Sequence, residues 1–131
     1  MNEGTNVERQ YRVLVVDDVL EIRYLLREVL ALSGRFEVVA EAGDGIQAIE
    51  EAGRHQPDLV VLDLSMPRMD GLEALPQILL SSPGSKVVVL SGFEERRLGR
   101  VAMERGASGY LEKGVHPRNL VEELLRVLEA A

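Results

Sequence analysis

The sequence predicts an α/β domain in which a doubly wound parallel sheet carries helices on both faces. Short β-branched runs alternate along the chain with segments whose apolar residues recur at helical spacing. The runs are continuously apolar, as is typical of strands buried on both faces. This alternation builds right-handed βαβ units, and 131 residues are enough for one such domain.

Five segments are predicted to be strands. The strongest are residues 13–16, 59–62 and 87–90, each an unbroken run of Val and Leu. Residues 36–40 and 109–111 have a weaker strand pattern. Together they supply the five strands of the predicted sheet.

The first two helices are predicted on either side of the second strand. The first carries one apolar stripe and ends near Gly34, a residue typical of helix C-termini. That stripe consists of Val19, Ile22, Leu25, Leu26, Val29 and Leu30. The second helix begins after Asp44 and ends before Pro57, and its apolar positions are Ile46, Ile49 and Ala52.

The third helix is predicted to begin at Asp70, whose side chain can cap the amide of Glu73. Its buried positions are Leu72, Leu75, Ile78 and Leu79. Pro76 removes one backbone hydrogen bond, so this helix is expected to be bent or to begin late.

The last two helices differ in apolar content. Residues 94–105 are thickly charged, and a helix there can bury only Leu98, Val101, Ala102 and Met103. Residues 117–129 form a firmer helix, with Leu120, Val121, Leu124, Leu125 and Leu128 on one side. The fourth helix is therefore expected to be loosely held and able to move.

Composition excludes several classes of function. The chain has no cysteine, which excludes disulfides, thiolate zinc sites and a cysteine nucleophile, and a reducing cytoplasm is the expected compartment. A net charge of -7 argues against direct binding of nucleic acid or an anionic membrane. No apolar run is long enough for a membrane span. Residues 1–10 are polar and are expected to form a flexible arm before a single domain at 11–131.

Charged and hydroxyl side chains follow four of the predicted strands. Asp17 and Asp18 follow the first, Asp63 the third, Ser91 the fourth and Lys113 the fifth. The carboxyl ends of parallel strands share one rim, where ligands of such sheets bind. Three carboxylates and one ammonium leave a net charge of -2. This favours a bound divalent cation, and oxygen ligands favour Mg²⁺ or Mn²⁺ over zinc and leave positions for a phosphate.

Four segments of the chain resemble the receiver domain of two-component response regulators, in the family's order and spacing. They are residues 13–18 (VLVVDD), 58–71 (DLVVLDLSMPRMDG), 87–92 (VVVLSG) and 106–113 (GASGYLEK). The resemblance extends from about residue 12 to residue 128. It implies a flavodoxin-like fold with strand order 2-1-3-4-5, related to chemotaxis regulators.

The resemblance also implies a metal-dependent phosphoacceptor. Asp63 would accept a phosphoryl group from a phosphohistidine on a sensor histidine kinase or a phosphotransfer protein. Asp18 would bind Mg²⁺ directly, Asp17 would help through water, and the backbone carbonyl of Ser65 would complete the protein ligands together with Asp63. Such a domain is a switch and not a multiple-turnover enzyme.

The remaining implied roles concern the phosphorylated state. Lys113 would bind the phosphoryl oxygens, Ser91 would hydrogen-bond the product, and Tyr110 would change rotamer. The added charge would then alter the face made by the fourth helix, the fifth strand and the fifth helix. That face would control an output partner of unspecified kind, and a phosphorylation-dependent dimer is one form this output could take.

Two positions depart from the family pattern. Gly114 follows Lys113 where the family usually has a proline, often with a cis bond, and a cis bond before a non-proline residue costs about 2.5–4 kcal/mol. The sequence therefore leaves the geometry of this turn open. Pro76 in the third helix is also unusual.

Phe93 and Ser65 flank the predicted pocket and are expected to influence access of hydrolytic water.

Three other functions fit these residues less well. A flavodoxin-like electron carrier needs a neutral phosphate cradle where this chain has Asp17 and Asp18. A phosphatase resembling the haloacid dehalogenases would have a second aspartate two positions after Asp63, where this chain has Ser65. A pseudo-receiver that only binds partners is disfavoured because every acidic and basic position of the family pattern is filled.

Overall fold

The computed structural model describes residues 9–92 and 96–130, apart from the side chain of Arg96. Phe93, the first residues of the predicted fourth helix and most of the predicted N-terminal arm lie outside this part of the chain. Of that arm, the described Arg9 pairs with Asp58 at 2.6 Å, and the flexibility of the rest stays a prediction.

The described residues form a parallel sheet of five strands in the order β2-β1-β3-β4-β5. The strands are β1 (Tyr11–Val16), β2 (Phe36–Ala42), β3 (Leu59–Asp63), β4 (Lys86–Ser91) and β5 (Gly109–Glu112). This pairing confirms the predicted fold class and strand order. The two weaker strand candidates, β2 and β5, lie at the edges of the sheet.

Helices cover both faces of the sheet. They are α1 (Leu20–Leu32), α2 (Gly45–His55), α3 (Gly71–Ser81), α4 (Arg96–Glu104) and α5 (Pro117–Glu129). Alternate residues of each strand enter two separate cores: Leu14 packs with α2, α3 and α4, whereas Val13 packs with α1 and α5. The central strand β3 is buried along its whole length, which explains the unbroken apolar run of residues 59–62 that precedes Asp63.

The predicted stripe of α1 is only partly buried. Leu26 and Leu30 lie in the core, but Leu25 is 56% exposed and Val19 is 42% exposed. The interpretation of these two residues as part of a core-facing stripe is therefore wrong. The core that α1 shares with α5 and the sheet contains Leu26 and Leu30, whereas Val19 and Leu25 lie outside it, so one edge of the apolar arc faces outward. Ile46 of α2 is likewise 47% exposed.

Pro76 does not delay the start of α3. The helix begins directly after Asp70, whose carboxylate and the side chain of Glu73 form a capping box, and it continues past Pro76 to Ser81. Proline has no N–H for the carbonyl of Leu72, four residues earlier. The guanidinium of Arg105 donates to that carbonyl at 3.3 Å and so joins the end of α4 to α3.

The helix α4 buries little of its surface, as predicted from its charge. Ala102 is fully buried, while Leu98 and Met103 are 36% and 45% exposed. In the described part of the chain, no helix has the length and apolar character required to cross a membrane.

Candidate functional site

The predicted site residues converge at the carboxyl edge of the sheet. Asp17 follows β1, Asp63 ends β3, and Lys113 follows β5. The ammonium of Lys113 lies 2.9 Å from Oδ2 of Asp17 and 3.1 Å from Oδ1 of Asp63. Side chains separated by up to 96 positions in the sequence therefore meet in one ion-pair cluster.

Asp17, Asp18 and Asp63 form an acidic cluster beside this lysine. One carboxylate oxygen from each lies within 4.8 Å of those of the other two. Asp17 and Asp63 are only 1% and 2% exposed, whereas Asp18 is open to solvent. At about 4 Å, two carboxylates repel by about 4 kcal/mol at an effective dielectric near 20. Three hard oxygen donors held this close suit a Mg²⁺ ion.

Burial and mutual repulsion affect the protonation of the cluster. Burial, and next the charge of Asp17, raise the pKa of Asp63 to about 6, although Lys113 opposes this rise. Burial alone would lower the pKa of Lys113, but the hydrogen bond to Asp17 and the charge of Asp63 outweigh it and raise that pKa. Lys113 therefore remains an ammonium, and a cation that offset the repulsion would favour ionised Asp63.

The loop after β3 is closed tightly against the site. The N–H of Gly71 donates to the carbonyl of Leu64 at 2.9 Å. A Cβ at Gly71 would lie 2.1 Å from the carbonyl oxygen of Asp63, so only glycine fits at this position. Ser65, two residues after Asp63, lies in this loop, and its N–H reaches Oδ1 of Asp63 at 3.4 Å.

Comparison with known proteins agrees with this geometry. Residues 13–125 match the family model of the response regulator receiver domain. The chain is 36% identical over 113 residues to the chemotaxis protein CheY of Listeria monocytogenes, covering 86% of this chain and 94% of that protein.

The chain belongs to the response regulator receiver domain family.

Solved structures support the same assignment. The signal receiver domain of the response regulator NarL from Mycobacterium tuberculosis superposes with a TM-score of 0.87 at 31% identity, covering 95% of this chain and all of that one. The CheX-CheY-BeF3-Mg²⁺ complex from Borrelia burgdorferi gives a TM-score of 0.83 at 26% identity, covering 97% and 94%. Receiver domains bind Mg²⁺ at an acidic cluster of this kind and generally transmit signals between kinases or phosphotransfer proteins and an output.

Two buried hydroxyl groups of this receiver domain have no hydrogen-bond partner among the residues that the structure describes. Ser91 ends β4 and is fully buried, and its Oγ finds no hydrogen-bond partner within residues 9–92 and 96–130. The same holds for the buried hydroxyl of Tyr110 on β5. The Tyr110 ring occupies the space beside Gly99 of α4, where a Cβ would lie 2.4 Å from the ring. Burying an unpaired hydroxyl costs about 1–3 kcal/mol, so a hydrogen-bond partner for either group would be stabilising.

The turn after β5 departs from the usual family geometry. The described backbone has no cis peptide bond, so Lys113 and Gly114 are joined in trans. Gly114 takes a φ of 93°, which proline cannot adopt. The N–H of Lys113 donates to the carbonyl of Ser91 at 2.7 Å, so the lysine is still fixed to the end of β4. The structure therefore settles a geometry that the sequence left open.

Sequence reasoning missed Arg23, which supports the acidic loop. Its guanidinium donates to the carbonyl of Asp17 at 2.7 Å and to the carboxylate of Glu41 at 2.9 Å. Arg23 lies off the apolar stripe of α1, a position that usually indicates a solvated charge. Only the packing of α1 against β2 shows that this arginine fixes the backbone after β1.

Proposed function

We propose that this receiver domain is a phosphoacceptor switch in which Asp63 takes a phosphoryl group from a histidine kinase pathway. The observation that carries the proposal is the position of the Lys113 ammonium, which contacts both Asp17 and Asp63 inside the acidic cluster. A phosphoryl group entering this cluster would bring further negative charge, which a metal ion and this lysine would offset.

Asp63 is better placed than Asp17 to attack phosphorus. Asp17 uses Oδ1 to accept the N–H of Val19 and Oδ2 to pair with Lys113. In the described residues, both contacts to Asp63, from Lys113 and from the N–H of Ser65, go to Oδ1. The Oδ2 atom of Asp63 is therefore the proposed nucleophile.

The transfer step exchanges one bond to phosphorus for another. The bond between Oδ2 of Asp63 and phosphorus forms as the bond from phosphorus to the donor imidazole nitrogen breaks, and the electron pair returns to that nitrogen. No proton has to leave Asp63 when its carboxylate is ionised. Alignment and charge neutralisation then supply most of the rate enhancement.

The proposed protein ligands for Mg²⁺ are Asp18 and Asp63, the backbone carbonyl of Ser65, and Asp17 through water. The clustered oxygens of the three carboxylates fit a hard cation, and Mn²⁺ would fit the same donors. When bound, the metal would neutralise the carboxylates and orient the phosphoryl oxygens.

After transfer, the acyl phosphate would gain two donors. Lys113 already lies 3.1 Å from Asp63 and would bind one phosphoryl oxygen, while the unpaired hydroxyl of Ser91 would donate to another. Movement of Ser91 toward the phosphoryl group would change the space around Tyr110 and the weakly packed α4. The proposed output is a changed surface on α4, β5 and α5, which an unidentified partner or a second copy of the domain would recognise.

The exposed apolar edge of α1 is the proposed docking surface for the phosphodonor. Leu20 and Tyr24 are each 64% exposed, close in the chain to Asp17 and Asp18. Beside them, α1, α5 and the turn after Lys113 line a mostly apolar groove of about 190 Å³. An apolar protein surface of a kinase or phosphotransfer protein would cover this edge and exclude water from the transfer. A cytoplasmic location and a single domain at residues 11–131 belong to the same proposal.

The direct test is intact-protein mass spectrometry after treatment with acetyl phosphate. We expect one added phosphoryl group on the wild type with Mg²⁺, and none after chelation of the metal or in Asp63→Asn. Equal labelling of Asp63→Asn would place the acceptor elsewhere. Continuous turnover of simple phosphate esters, without a stoichiometric limit, would instead indicate a phosphatase.

A further inference from the structure

An ion pair outside the acidic cluster joins the phosphoacceptor loop to α2. The Nε atom of Arg68 donates to Oδ2 of Asp44 at 2.7 Å. The carboxylate of Asp44 is 2% exposed and also accepts the N–H of Gln47 at 2.8 Å, which caps α2. The hydrogen bond from Gln47, followed by that from Arg68, holds the pKa of Asp44 below its ordinary value. Asp44 is therefore a buried, ionised partner for Arg68.

The backbone of Arg68 has an unusual conformation. Its φ is 65°, in the left-handed region that residues other than glycine and asparagine rarely adopt. Such a conformation persists only where surrounding contacts impose it, and these cases concentrate near functional sites. The ion pair to Asp44 is a contact of this kind, because it holds the side chain while the backbone takes the disfavoured turn.

A second link fastens the same stretch of loop to α2. The N–H of Gly45 donates to the carbonyl of Met69 at 2.8 Å. A Cβ on Gly45 would lie 2.7 Å from that carbonyl oxygen, so the two segments are in close contact. Met66 and Met69 also pack against the core. The loop is thus fixed to α2 through Met69, and its two ends are joined by the hydrogen bond from Gly71 to Leu64.

We infer that Asp44 and Arg68 are positioning residues for the metal site, and that their ion pair fixes the loop so that the carbonyl of Ser65 can serve as a ligand. This inference rests on the proposed function. Neither residue belongs to the acidic cluster, so they act through the loop and not by touching the metal or the phosphoryl group.

The physical reason lies in the type of ligand. A carboxylate can adjust its direction by changing rotamer, but a backbone carbonyl points where the loop dihedrals direct it. Mg²⁺ requires short oxygen distances and nearly octahedral geometry, so a small rotation of the Ser65 peptide would remove one ligand. Arg68 lies three residues after Ser65, and Pro67 between them has a fixed φ. The backbone conformation of Arg68 therefore affects the direction of the Ser65 carbonyl, because the segment between them is short and stiff.

The test measures Mg²⁺ affinity by calorimetry, together with the increase in unfolding free energy that saturating Mg²⁺ produces. We expect Arg68→Gln to weaken Mg²⁺ binding roughly tenfold, the lower end of the range for residues that support metal ligands. Arg68→Lys should recover part of the affinity, since it keeps the charge but loses the planar donor. Asp44→Asn keeps an acceptor for the Gln47 amide and should weaken binding similarly.

Arg54→Gln is the matched control. Arg54 is also an exposed arginine with a carboxylate partner, Glu51 at 3.2 Å, but it lies on α2 away from the loop. It should leave Mg²⁺ affinity unchanged.

Two results would overturn the inference while leaving the proposed function intact. In the first, Arg68→Gln lowers stability equally with and without Mg²⁺ and leaves the affinity at the wild-type value, as a purely structural role requires. In the second, Arg68→Asn, which tolerates the left-handed turn but lacks the ion pair, binds Mg²⁺ as well as the wild type. Failure of the wild type itself to bind Mg²⁺ would overturn both.

Discussion

The β3 loop, residues 64–70, and the region formed by the end of β4, β5 and α4 differ in how firmly they are held. The β3 loop is fastened by hydrogen bonds from Gly71 and Gly45 and by the Arg68 ion pair. On the β4 side, Ser91 and Tyr110 have buried hydroxyls without partners in the described residues, and α4 buries few side chains. The proposed phosphoacceptor thus lies on the rigid side, and the groups proposed to respond lie on the loosely packed side. A switch of this kind needs both, because precise chemistry and easy movement place opposite demands on packing.

The largest effect is expected from a methyl group on the rigid side. Gly71→Ala would place a Cβ 2.1 Å from the backbone oxygen of Asp63, and the atoms it meets are all backbone, which cannot rotate away as a side chain can. We expect a loss of about 3 kcal/mol in unfolding free energy, the upper end of the usual cost of overpacking. Urea denaturation measures it. The control is Gly84→Ala, where no atom lies within 4 Å, and which should change stability by less than about 0.5 kcal/mol.

Removal of the ammonium should come next in size. Lys113→Ala would leave Asp17 and Asp63 without their cation, so charge developing on the phosphoryl group loses one of its two partners. We expect the rate of phosphorylation by acetyl phosphate to fall about 10²–10³-fold, as is typical for loss of one such group. Mg²⁺ affinity should not fall, because the cluster becomes more negative. A variant with a normal rate would contradict the role of Lys113.

A smaller effect is expected from removing the charge of Asp63, measured as the stability of the metal-free protein. The pKa of Asp63 is about 6 in the folded state, against an ordinary value of 3.8. Between pH 4 and pH 6 the folded state therefore binds more protons than the unfolded state, and this group's contribution to stability falls as pH rises. Above pH 6 the full penalty of the ionised carboxylate remains.

Asp63→Asn removes that penalty, so it should stabilise the metal-free protein at pH 7.5 by about 1–2 kcal/mol, allowing for partial screening. The gain should shrink toward pH 4, and Mg²⁺ should stabilise only the wild type. Thermal unfolding in chelator over a pH series measures both effects. A variant less stable than the wild type at pH 7.5 would contradict the assigned repulsion.

The smallest effect on stability is expected from the same methyl group on the loose side. Gly99→Ala would bring a Cβ within 2.4 Å of the Tyr110 ring, but that ring can rotate away. Alanine also favours the helix by about 1 kcal/mol, so the net change should stay within about 1 kcal/mol. The ring should move outward, which NMR of the tyrosine ring protons detects. An unmoved ring, or a loss as large as that of Gly71→Ala, would remove the contrast between the two sides.

The sequence predicted the sheet well because burial on both faces requires apolar residues at successive positions, a pattern that is easy to recognise. Strands such as β3 are continuously apolar, and parallel strands bring their carboxyl ends together whatever their spacing in the chain. The convergence of Asp17, Asp63 and Lys113 followed from topology alone. The roles of the individual site residues remain proposals, because the location of a side chain does not by itself establish its role in a reaction.

Other features depended on neighbours that the sequence does not specify. Leu25 is apolar and lies on the predicted stripe, but its exposure depends on how much of α1 its neighbours cover. The pairing of Arg68 with Asp44, 24 positions away, depends on a single dihedral angle in a loop. The contact between Tyr110 and Gly99 arises from the close approach of α4 to β5. Local patterns predict which elements form, whereas these contacts depend on how the elements pack.

The central claim is that Asp63 carries the phosphoryl group, and localisation of the modification tests it most directly. Borohydride reduces an aspartyl phosphate to homoserine, which tandem mass spectrometry of the resulting peptides can place in the chain. After treatment with acetyl phosphate and Mg²⁺, we predict homoserine at position 63 and at no other aspartate. Homoserine at position 17 or 18, or a phosphoryl group retained on a histidine or serine, would contradict this account.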